Sequence, residues 1–169
     1  MTGGRIKRIQ PYVGNETFMM TYGDAVCDLD ISKLVEFHKS HGKKATLTAV
    51  KQVQEKGVLD ISLDNTVRAF REKNKKDSAP INAGFMVLEP SVFDLLDGDE
   101  CVFEKKPLIT LADEGELMSY IHEGFWQCMD NIREKNMLEK LLAENKAPWK
   151  RWTRIVPNLQ YKNEMQNGF

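Results

Sequence analysis

Two patterns of hydrophobic residues alternate along the chain and predict strands and helices in turn. Short apolar runs predict strands at residues 17–22, 45–50, 81–88 and 117–121. Apolar residues at helical spacing predict a helix that begins at Ile31 and others over residues 91–96, 104–113 and 131–142. Interleaved strands and helices predict an α/β domain with a largely parallel or mixed sheet.

Cap and turn residues mark several ends of these elements. Asp28 or Asp30 can cap the first predicted helix, and Gly42 is placed to end it. The β-rich runs 57–63 and 66–70 lie close together and predict a hairpin. The sheet system therefore gains an antiparallel element.

Composition narrows the class of protein. The 169 residues carry 24 basic and 25 acidic side chains, a net charge of -1, which disfavours nonspecific binding to nucleic acid. No apolar run approaches the roughly 20 residues that cross a bilayer, and the first residues do not resemble a signal peptide. We therefore expect a cytoplasmic protein with no membrane or nucleic-acid partner.

The sequence predicts one domain followed by a C-terminal segment of different composition. Residues 1–150 carry the alternating pattern, and residues 151–169 are rich in polar residues and predict an irregular extension. The three cysteines, Cys27, Cys101 and Cys128, lie far apart and lack the Cys-x-x-Cys spacing of a zinc knuckle. We therefore expect reduced, partly buried thiols.

Two aspartates follow apolar segments and are candidate ligand-binding residues. Asp24 comes directly after the first predicted strand, where Gly23 permits close approach of backbone or phosphate, and Asp130 precedes the last helix. From spacing alone, ordinary loop or cap aspartates are the commoner interpretation of both.

Several short segments, taken in order, carry a resemblance to a known family. They are Thr2-Gly3-Gly4-Arg5, Thr21-Tyr22-Gly23-Asp24, Asp28-Leu29-Asp30-Ile31, His41-Gly42-Lys43-Lys44, Phe70-Arg71-Glu72-Lys73, Ile81-Asn82-Ala83-Gly84, Gly124-Phe125-Trp126-Gln127 and Met129-Asp130. The ordered set resembles the sugar nucleotidyltransferases, and among them those that act on CTP and glucose 1-phosphate. The match covers about residues 1–152, and it implies a Rossmann-like mixed sheet of the nucleotidyltransferase type.

The resemblance implies a reaction and a metal. A phosphate oxygen of glucose 1-phosphate attacks the α-phosphorus of CTP, forming CDP-glucose and releasing pyrophosphate. Because two polyanions meet, such a site needs a divalent cation and cationic side chains. Asp24 and Asp130 match the family's magnesium ligands, and carboxylate oxygens suit Mg²⁺.

The same resemblance implies the substrate-binding residues. Glu72 matches the position that binds sugar hydroxyls, and Lys73 the catalytic position that meets the sugar phosphate; without the resemblance, both would read as exposed charges. The other implied contacts come from the loop after the first strand (Tyr22, Gly23), from the sugar-binding strand (Asn82, Gly84) and from a segment along the cytosine (Thr2, Gly3, Gly4, Arg5).

Departures from the family pattern qualify these expectations. The family's glycine-rich GGxGTR-type loop and its downstream lysine would lie before Thr2, so we expect an N-terminally truncated, C-terminal part of the enzyme. Cys128 also replaces a proline close to the second aspartate. Two interpretations stay open: a partial enzyme chain, homo-oligomeric or paired with a complementary N-terminal fragment, and a noncatalytic remnant that binds sugar phosphate or assists assembly.

Overall fold

A computed structural model describes residues 1–51, 58–62, 66–71 and 79–151. The predicted C-terminal extension, apart from Arg151, lies outside these described residues.

Four α-helices, one 3₁₀ helix and eight strands are assigned in the described part of the chain. The α-helices are α1 (Thr2–Val13), α2 (Ile31–His41), α3 (Lys106–Asp113) and α4 (Ile132–Ala143), and the 3₁₀ helix covers Pro90–Leu95. The strands are β1 (Phe18–Met20), β2 (Ala25–Cys27), β3 (Ala45–Lys51), β4 (Val58–Ile61), β5 (Val67–Arg71), β6 (Pro80–Leu88), β7 (Leu117–His122) and β8 (Trp126–Cys128).

The main sheet is mixed, with strand order β1-β6-β3-β7. β6 pairs antiparallel with β1 and β3, whereas β3 and β7 run parallel, joined through β6 and α3 in the chain. This confirms the predicted α/β class and shows that the sheet is mixed rather than largely parallel. β2 and β8 form a separate antiparallel pair, and β4 and β5 form the predicted hairpin.

The core lies where β6 and β3 pack against α1, α3 and the 3₁₀ helix. Met86, Leu88, Phe93 and Phe103 are among its fully or almost fully buried side chains. Burying side chains of this size contributes about 1.5–3 kcal/mol each relative to exposure. The central strand β6 therefore anchors the elements that carry the polar residues near its start.

Local capping explains where two helices begin. Asp30 is the N-cap of α2 and its carboxylate accepts a hydrogen bond from the Lys33 amide at 3.2 Å, which decides between the two predicted caps. Gly42 ends this helix with φ 64°, a left-handed conformation that suits glycine. Asn131 caps α4 in a reciprocal capping box with Glu134.

Three elements have no counterpart in the sequence patterns: α1, β2 and β8. Gly3, Gly4 and Pro11 weaken the helical signal of α1, and β2 and β8 contain only three residues each. No helix within the described residues is long and apolar enough to cross a membrane.

Candidate active site

A hydrogen-bonded group of side chains connects α1, the loop after β1 and the start of α3. The carboxylate of Glu104 accepts hydrogen bonds from the Thr2 hydroxyl at 2.6 Å and from the Tyr22 hydroxyl. The Thr2 hydroxyl in turn accepts a hydrogen bond from the Phe103 amide at 2.9 Å. Glu104 therefore holds two residues from distant parts of the sequence in one place.

The start of β6 joins this group. The Asn82 side chain lies near the Tyr22 hydroxyl and acts to lower its pKa, and the Asn82 side-chain oxygen accepts from the Gly84 amide at 2.9 Å. Gly84 has φ 84°, and a Cβ there would lie 2.5 Å from Cδ2 of the Tyr22 ring. The Trp126 indole donates to the Ala83 carbonyl at 2.9 Å, so β8 is tied to the same stretch of β6.

The electrostatics of this group follow from burial and hydrogen bonding. Burial, the hydrogen bond to Glu104 and the charge of that carboxylate raise the pKa of Tyr22, which stays a neutral donor. Burial acts to raise the pKa of Glu104, but hydrogen bonds from Thr2 and Tyr22 outweigh it and lower that pKa overall. Asp24 follows Tyr22 by two residues in the same loop, and its negative charge also acts to raise the pKa of Tyr22.

Asp24 immediately precedes β2, and Asp130 comes two residues after β8. Because β2 and β8 are antiparallel, both aspartates lie at the same end of this strand pair. Ala25 is paired with Cys128, and the Met129 amide donates to the Asp24 carbonyl at 2.7 Å. Both aspartates are exposed, and their backbones approach each other although 106 positions separate them in sequence. Two exposed carboxylates at one end of a strand pair offer the hard oxygen ligands that suit Mg²⁺.

Other side chains surround Asp130. The Glu134 carboxylate accepts from the Asp130 amide at 2.7 Å and from the Cys128 thiol at 4.0 Å. Burial and the charge of Asp130 raise the pKa of Cys128 to about 11, so the thiol stays protonated. Cys128 therefore lies beside a candidate metal ligand, with its sulfur within 4.8 Å of a carboxylate oxygen of Asp130.

The remaining residues implied by the resemblance have different placements. Thr2, Gly3, Gly4 and Arg5 lie in the first turn of α1, with the two glycines buried and Arg5 exposed. A Cβ on Gly3 would lie 2.5 Å from the Cys101 sulfur, and one on Gly4 would lie 2.5 Å from the Asp99 carbonyl oxygen. In this structure, the glycines let α1 approach the 99–101 loop.

Three more of the predicted residues are Glu72, Lys73 and Gly23. Glu72 and Lys73 lie outside the described residues. Gly23 lies in the loop between Tyr22 and Asp24, and an added Cβ there would have no heavy atom within 4 Å. The loop is therefore open to a ligand on the side of Gly23.

No sequence pattern indicated Glu104, the residue that connects the group. In the sequence, Glu104 is notable only as the first residue of a predicted helix. Many glutamates occupy that position without taking part in a binding site. The interaction of Glu104 with Tyr22 spans 82 positions, and such long-range contacts leave no local pattern.

Comparison with known proteins assigns the chain to a family. The family model described as Nucleotidyl transferase matches residues 5–129. The chain belongs to this nucleotidyl transferase family. The match confirms the family resemblance that the sequence segments carried.

Curated relatives and a solved structure refine this assignment. The glucose-1-phosphate cytidylyltransferase of Salmonella typhi is 56% identical over 153 residues, which cover 90% of this chain and 59% of that protein. The probable glucose-1-phosphate cytidylyltransferase of Bacillus subtilis (strain 168) is 40% identical over 155 residues, again 90% of this chain and 59% of that protein. The crystal structure of HddC from Yersinia pseudotuberculosis has a TM-score of 0.59 at 22% identity and covers 80% of this chain and 60% of that chain. The chain thus spans 59% of the length of these curated relatives, and HddC supports the fold alone.

Proposed function

We propose that this chain supplies the sugar-phosphate-binding and metal-binding part of a glucose-1-phosphate cytidylyltransferase. The reaction is CTP plus glucose 1-phosphate giving CDP-glucose and pyrophosphate. The observation that carries the proposal is the group formed by Thr2, Tyr22 and Glu104, with Gly84 of β6 packed on the Tyr22 ring and Asn82 bonded to Gly84. The resemblance assigns Thr2, Tyr22, Asn82 and Gly84 to substrate binding. Residues of one binding site must be neighbours in the fold, as these four are.

Asp24 and Asp130 are proposed to hold the divalent cation. When bound, Mg²⁺ would neutralise phosphate charge and orient the substrates for in-line attack. The two carboxylates supply one or two protein ligands, which is the usual number for Mg²⁺ when substrate phosphates complete its coordination. Their exposure leaves room for those phosphates.

The sugar end of the substrate is proposed to lie against the start of β6. The Asn82 amide can both donate to and accept from sugar hydroxyls, and the Gly84 backbone leaves space that a side chain would fill. Glu72 is proposed to accept hydrogen bonds from sugar hydroxyls, and Lys73 to pair with the phosphate.

The nucleotide end is proposed to contact the first turn of α1 through Thr2 and Arg5. Gly3 and Gly4 support this role indirectly, because they let the helix pack closely on the 99–101 loop and so fix where Thr2 and Arg5 lie. Thr2 is further fixed by its bonds with Glu104 and Phe103.

The proposal extends to partners and location. We expect the chain to act in the cytoplasm as a homo-oligomer or together with a complementary N-terminal fragment. A specific observation favours a second candidate function, a noncatalytic sugar-phosphate-binding protein: the sugar-side residues are held by their own hydrogen bonds within this chain.

Calorimetric titration tests the proposed function. Glucose 1-phosphate, glucose and CDP-glucose are titrated into the 169-residue chain with and without Mg²⁺. We expect Lys73→Ala to weaken binding of glucose 1-phosphate more than binding of glucose, because the ammonium pairs with the phosphate. Asp24→Asn should weaken only the Mg²⁺-dependent part of CDP-glucose binding.

A surface lysine provides the matched control for this titration. Lys140 on α4 is exposed and pairs only loosely with Glu144 at 3.9 Å, so Lys140→Ala should leave all three affinities unchanged. Equal losses for glucose and glucose 1-phosphate in Lys73→Ala would contradict the phosphate role. An affinity for CDP-glucose that is the same with and without Mg²⁺ would favour the noncatalytic alternative.

A further inference from the structure

A second cluster of potential metal ligands lies at the end of β2 opposite to Asp24. Cys27 ends β2, Asp28 follows it, and His122 ends β7. One ligand atom from each of the three residues lies within 4.8 Å of the other two. All three side chains are half-buried, unlike the exposed Asp24 and Asp130.

We infer that Cys27, Asp28 and His122 form a binding site for a borderline-soft divalent cation of the Zn²⁺ type. A thiolate, an imidazole and a carboxylate are the ligand types that Zn²⁺ selects, whereas Mg²⁺ prefers oxygen ligands alone. Three protein ligands leave a fourth position for water. This site is therefore distinct in chemistry from the proposed Mg²⁺ site.

The backbone around the cluster is arranged in the way that a metal site requires. The Phe125 amide donates to Oδ1 of Asp28 at 2.8 Å and orients the carboxylate. Gly124 crosses so close to this carboxylate that an added Cβ would also lie 2.7 Å from the His122 ring. The 122–125 loop therefore fixes two of the ligands from outside, a role that outer-shell groups have in metal sites.

Cys27 is prepared for coordination by backbone amides. The neighbouring backbone amides of Leu29 and Asp28 act to lower the pKa of the Cys27 thiol, but burial and the nearby Asp28 charge outweigh them and raise it to about 11. A bound dication would offset both of the effects that oppose the thiolate. The thiol proton would pass to solvent as the metal–sulfur bond forms.

His122 can bind the cation through Nε2 after that nitrogen has lost its proton. Its Nε2 faces Oδ1 of Asp28 at 2.8 Å and the Phe125 carbonyl at 3.4 Å, so this nitrogen carries a proton in the metal-free protein. For Nε2 to bind the metal, the neutral ring would lose this proton to solvent and take one up on Nδ1. The net proton release on binding would then be the one from Cys27.

A cation can reach the cluster from solvent. A cleft of about 370 Å³ is lined by Asp28, His122, Tyr120 and Gly124, among others. Two cationic side chains, Lys33 and Arg151, also line this cleft, and Arg151 donates to the backbone carbonyl of Asp28 at 3.0 Å and lies 3.8 Å from the Asp30 carboxylate. The cleft also supplies the water that would complete the coordination.

Titration of the full 169-residue chain with Co²⁺, a spectroscopic substitute for Zn²⁺, tests the inference. In excess Mg²⁺, which occupies the carboxylate site, we expect a near-ultraviolet thiolate-to-cobalt charge-transfer band that saturates at one Co²⁺ per chain and is removed by Zn²⁺. Cys27→Ser should abolish the band. His122→Ala removes a ligand and should weaken Co²⁺ binding by at least about tenfold, the lower end of losses seen for outer-shell partners.

Cys128 provides the matched control, because its sulfur also lies near two carboxylates, Asp130 and Glu134. Cys128→Ser should keep both the band and the affinity. A band that disappears in Cys128→Ser and persists in Cys27→Ser would overturn the inference, as would the absence of a band in the unsubstituted chain. These results do not depend on binding of any sugar nucleotide, so they separate this inference from the proposed function.

A second measurement needs no variant. Alkylation of the three thiols in the unsubstituted chain is followed by mass spectrometry with and without Zn²⁺. We expect Zn²⁺ to slow alkylation of Cys27 at least tenfold and to leave Cys101 unchanged. Equal rates for Cys27 with and without Zn²⁺ would overturn the inference even if the Cys27 variant failed to fold.

Discussion

At the scale of single residues, Gly84 determines how closely β6 approaches Tyr22. Its φ of 84° lies in the region that L side chains rarely adopt, and its amide is fixed by the Asn82 side chain. The Tyr22 ring occupies the space where a Cβ would project. One glycine therefore sets the geometry of three residues of the candidate site.

Substituting Gly84 by alanine is expected to destabilise the fold. A non-glycine residue at this φ costs about 1–3 kcal/mol, and the Cβ must also displace the Tyr22 ring. The free energy of unfolding, measured in urea by circular dichroism, should fall by at least that amount.

Gly23 is the matched control for Gly84. It does not have a positive φ, and a Cβ there meets no heavy atom within 4 Å. Gly23→Ala should change the free energy of unfolding by less than about 0.5 kcal/mol. Equal stability of the Gly84→Ala and Gly23→Ala variants would contradict the packing of Tyr22 on Gly84.

At the scale of elements, α1 is held to the rest of the fold by its first two turns. Gly3 and Gly4 are buried, Ile6 enters the core, and the Gly4 amide donates to the Cys101 carbonyl at 3.2 Å. Arg8 adds paired hydrogen bonds to the Asp99 carboxylate, although both side chains are exposed. Close packing of backbone on backbone is what fixes this helix.

Gly4→Ala therefore separates packing from helix propensity. Propensity alone predicts that alanine stabilises a helix by about 1 kcal/mol relative to glycine. Because the added Cβ would lie 2.5 Å from backbone atoms of Asp99, we expect destabilisation instead, by about 1–3 kcal/mol. Urea unfolding measures the sign, and Gln10→Ala, at an exposed position of α1, is the control that should be neutral.

These elements also show what the sequence could predict. The caps of α2 and the strand β6 follow from local residue types, and the structure confirms them. α1 could not be predicted, because its glycines are favourable only against a loop that is almost 100 positions away. β2 and β8 form through pairing with each other, and their three residues hold no periodic signal.

A chain of hydrogen bonds connects α2, β3 and the end of β6. The Lys43 amide donates to Nδ1 of His41 at 2.9 Å, which leaves the proton of a neutral ring on Nε2, 2.7 Å from the Thr46 hydroxyl. That hydroxyl can then donate to Nδ1 of His38 at 2.8 Å, and Nε2 of His38 donates to Glu89 at 2.9 Å. When both imidazole rings are neutral, every donor in this series of hydrogen bonds therefore faces an acceptor.

Acid should therefore weaken the fold through His41. Burial, followed by the charges of His38 and Lys43, lowers the pKa of His41 below its unfolded value of about 6.5. The unfolded state then binds more protons below pH 6.5, so stability is lost as the pH falls from about 6.5 toward the lowered pKa. The free energy of unfolding should fall less in His41→Gln than in the unsubstituted chain between pH 7.5 and 5.5.

Lys39 on the same helix is the control for this pH dependence. Its side chain is exposed, and an ordinary lysine does not titrate between pH 5.5 and 7.5. Lys39→Gln should keep the full loss of stability on acidification. A loss of the same size in His41→Gln would show that other groups are responsible.

At the scale of the whole molecule, the candidate site depends on contacts between distant segments. The resemblance pointed to Tyr22, Asn82 and Gly84, and the structure brings these three together. It could not indicate Glu104, since the family segments that carried the resemblance do not include that residue. It also assigned Gly3 and Gly4 to the cytosine, which stays a prediction, and in the structure both glycines lie against the 99–101 loop.

One edge of the main sheet is open at this scale. β1 pairs with β6 on one side, and within the described residues no strand pairs with its other side. Met19 on β1 is 59% exposed and Tyr12 at the end of α1 is 89% exposed. An unpaired edge next to exposed apolar side chains favours addition of another strand.

We expect the 169-residue chain to have little cytidylyltransferase activity by itself and to gain it from a complementary fragment. The family's glycine-rich loop presents backbone amides and a lysine to the triphosphate, and loss of even one transition-state donor costs about 100-fold to 1000-fold in rate. A fragment that carries this loop should pair along β1 and restore Mg²⁺-dependent formation of CDP-glucose, followed by release of pyrophosphate. The control fragment, with the loop lysine replaced by alanine, should bind equally well and restore little activity, because the sheet edge is unchanged while the triphosphate loses a cation. Rapid synthesis by the monomeric chain alone would contradict this expectation, and would require another cationic segment, such as Lys43-Lys44 or Lys105-Lys106, to bind the triphosphate.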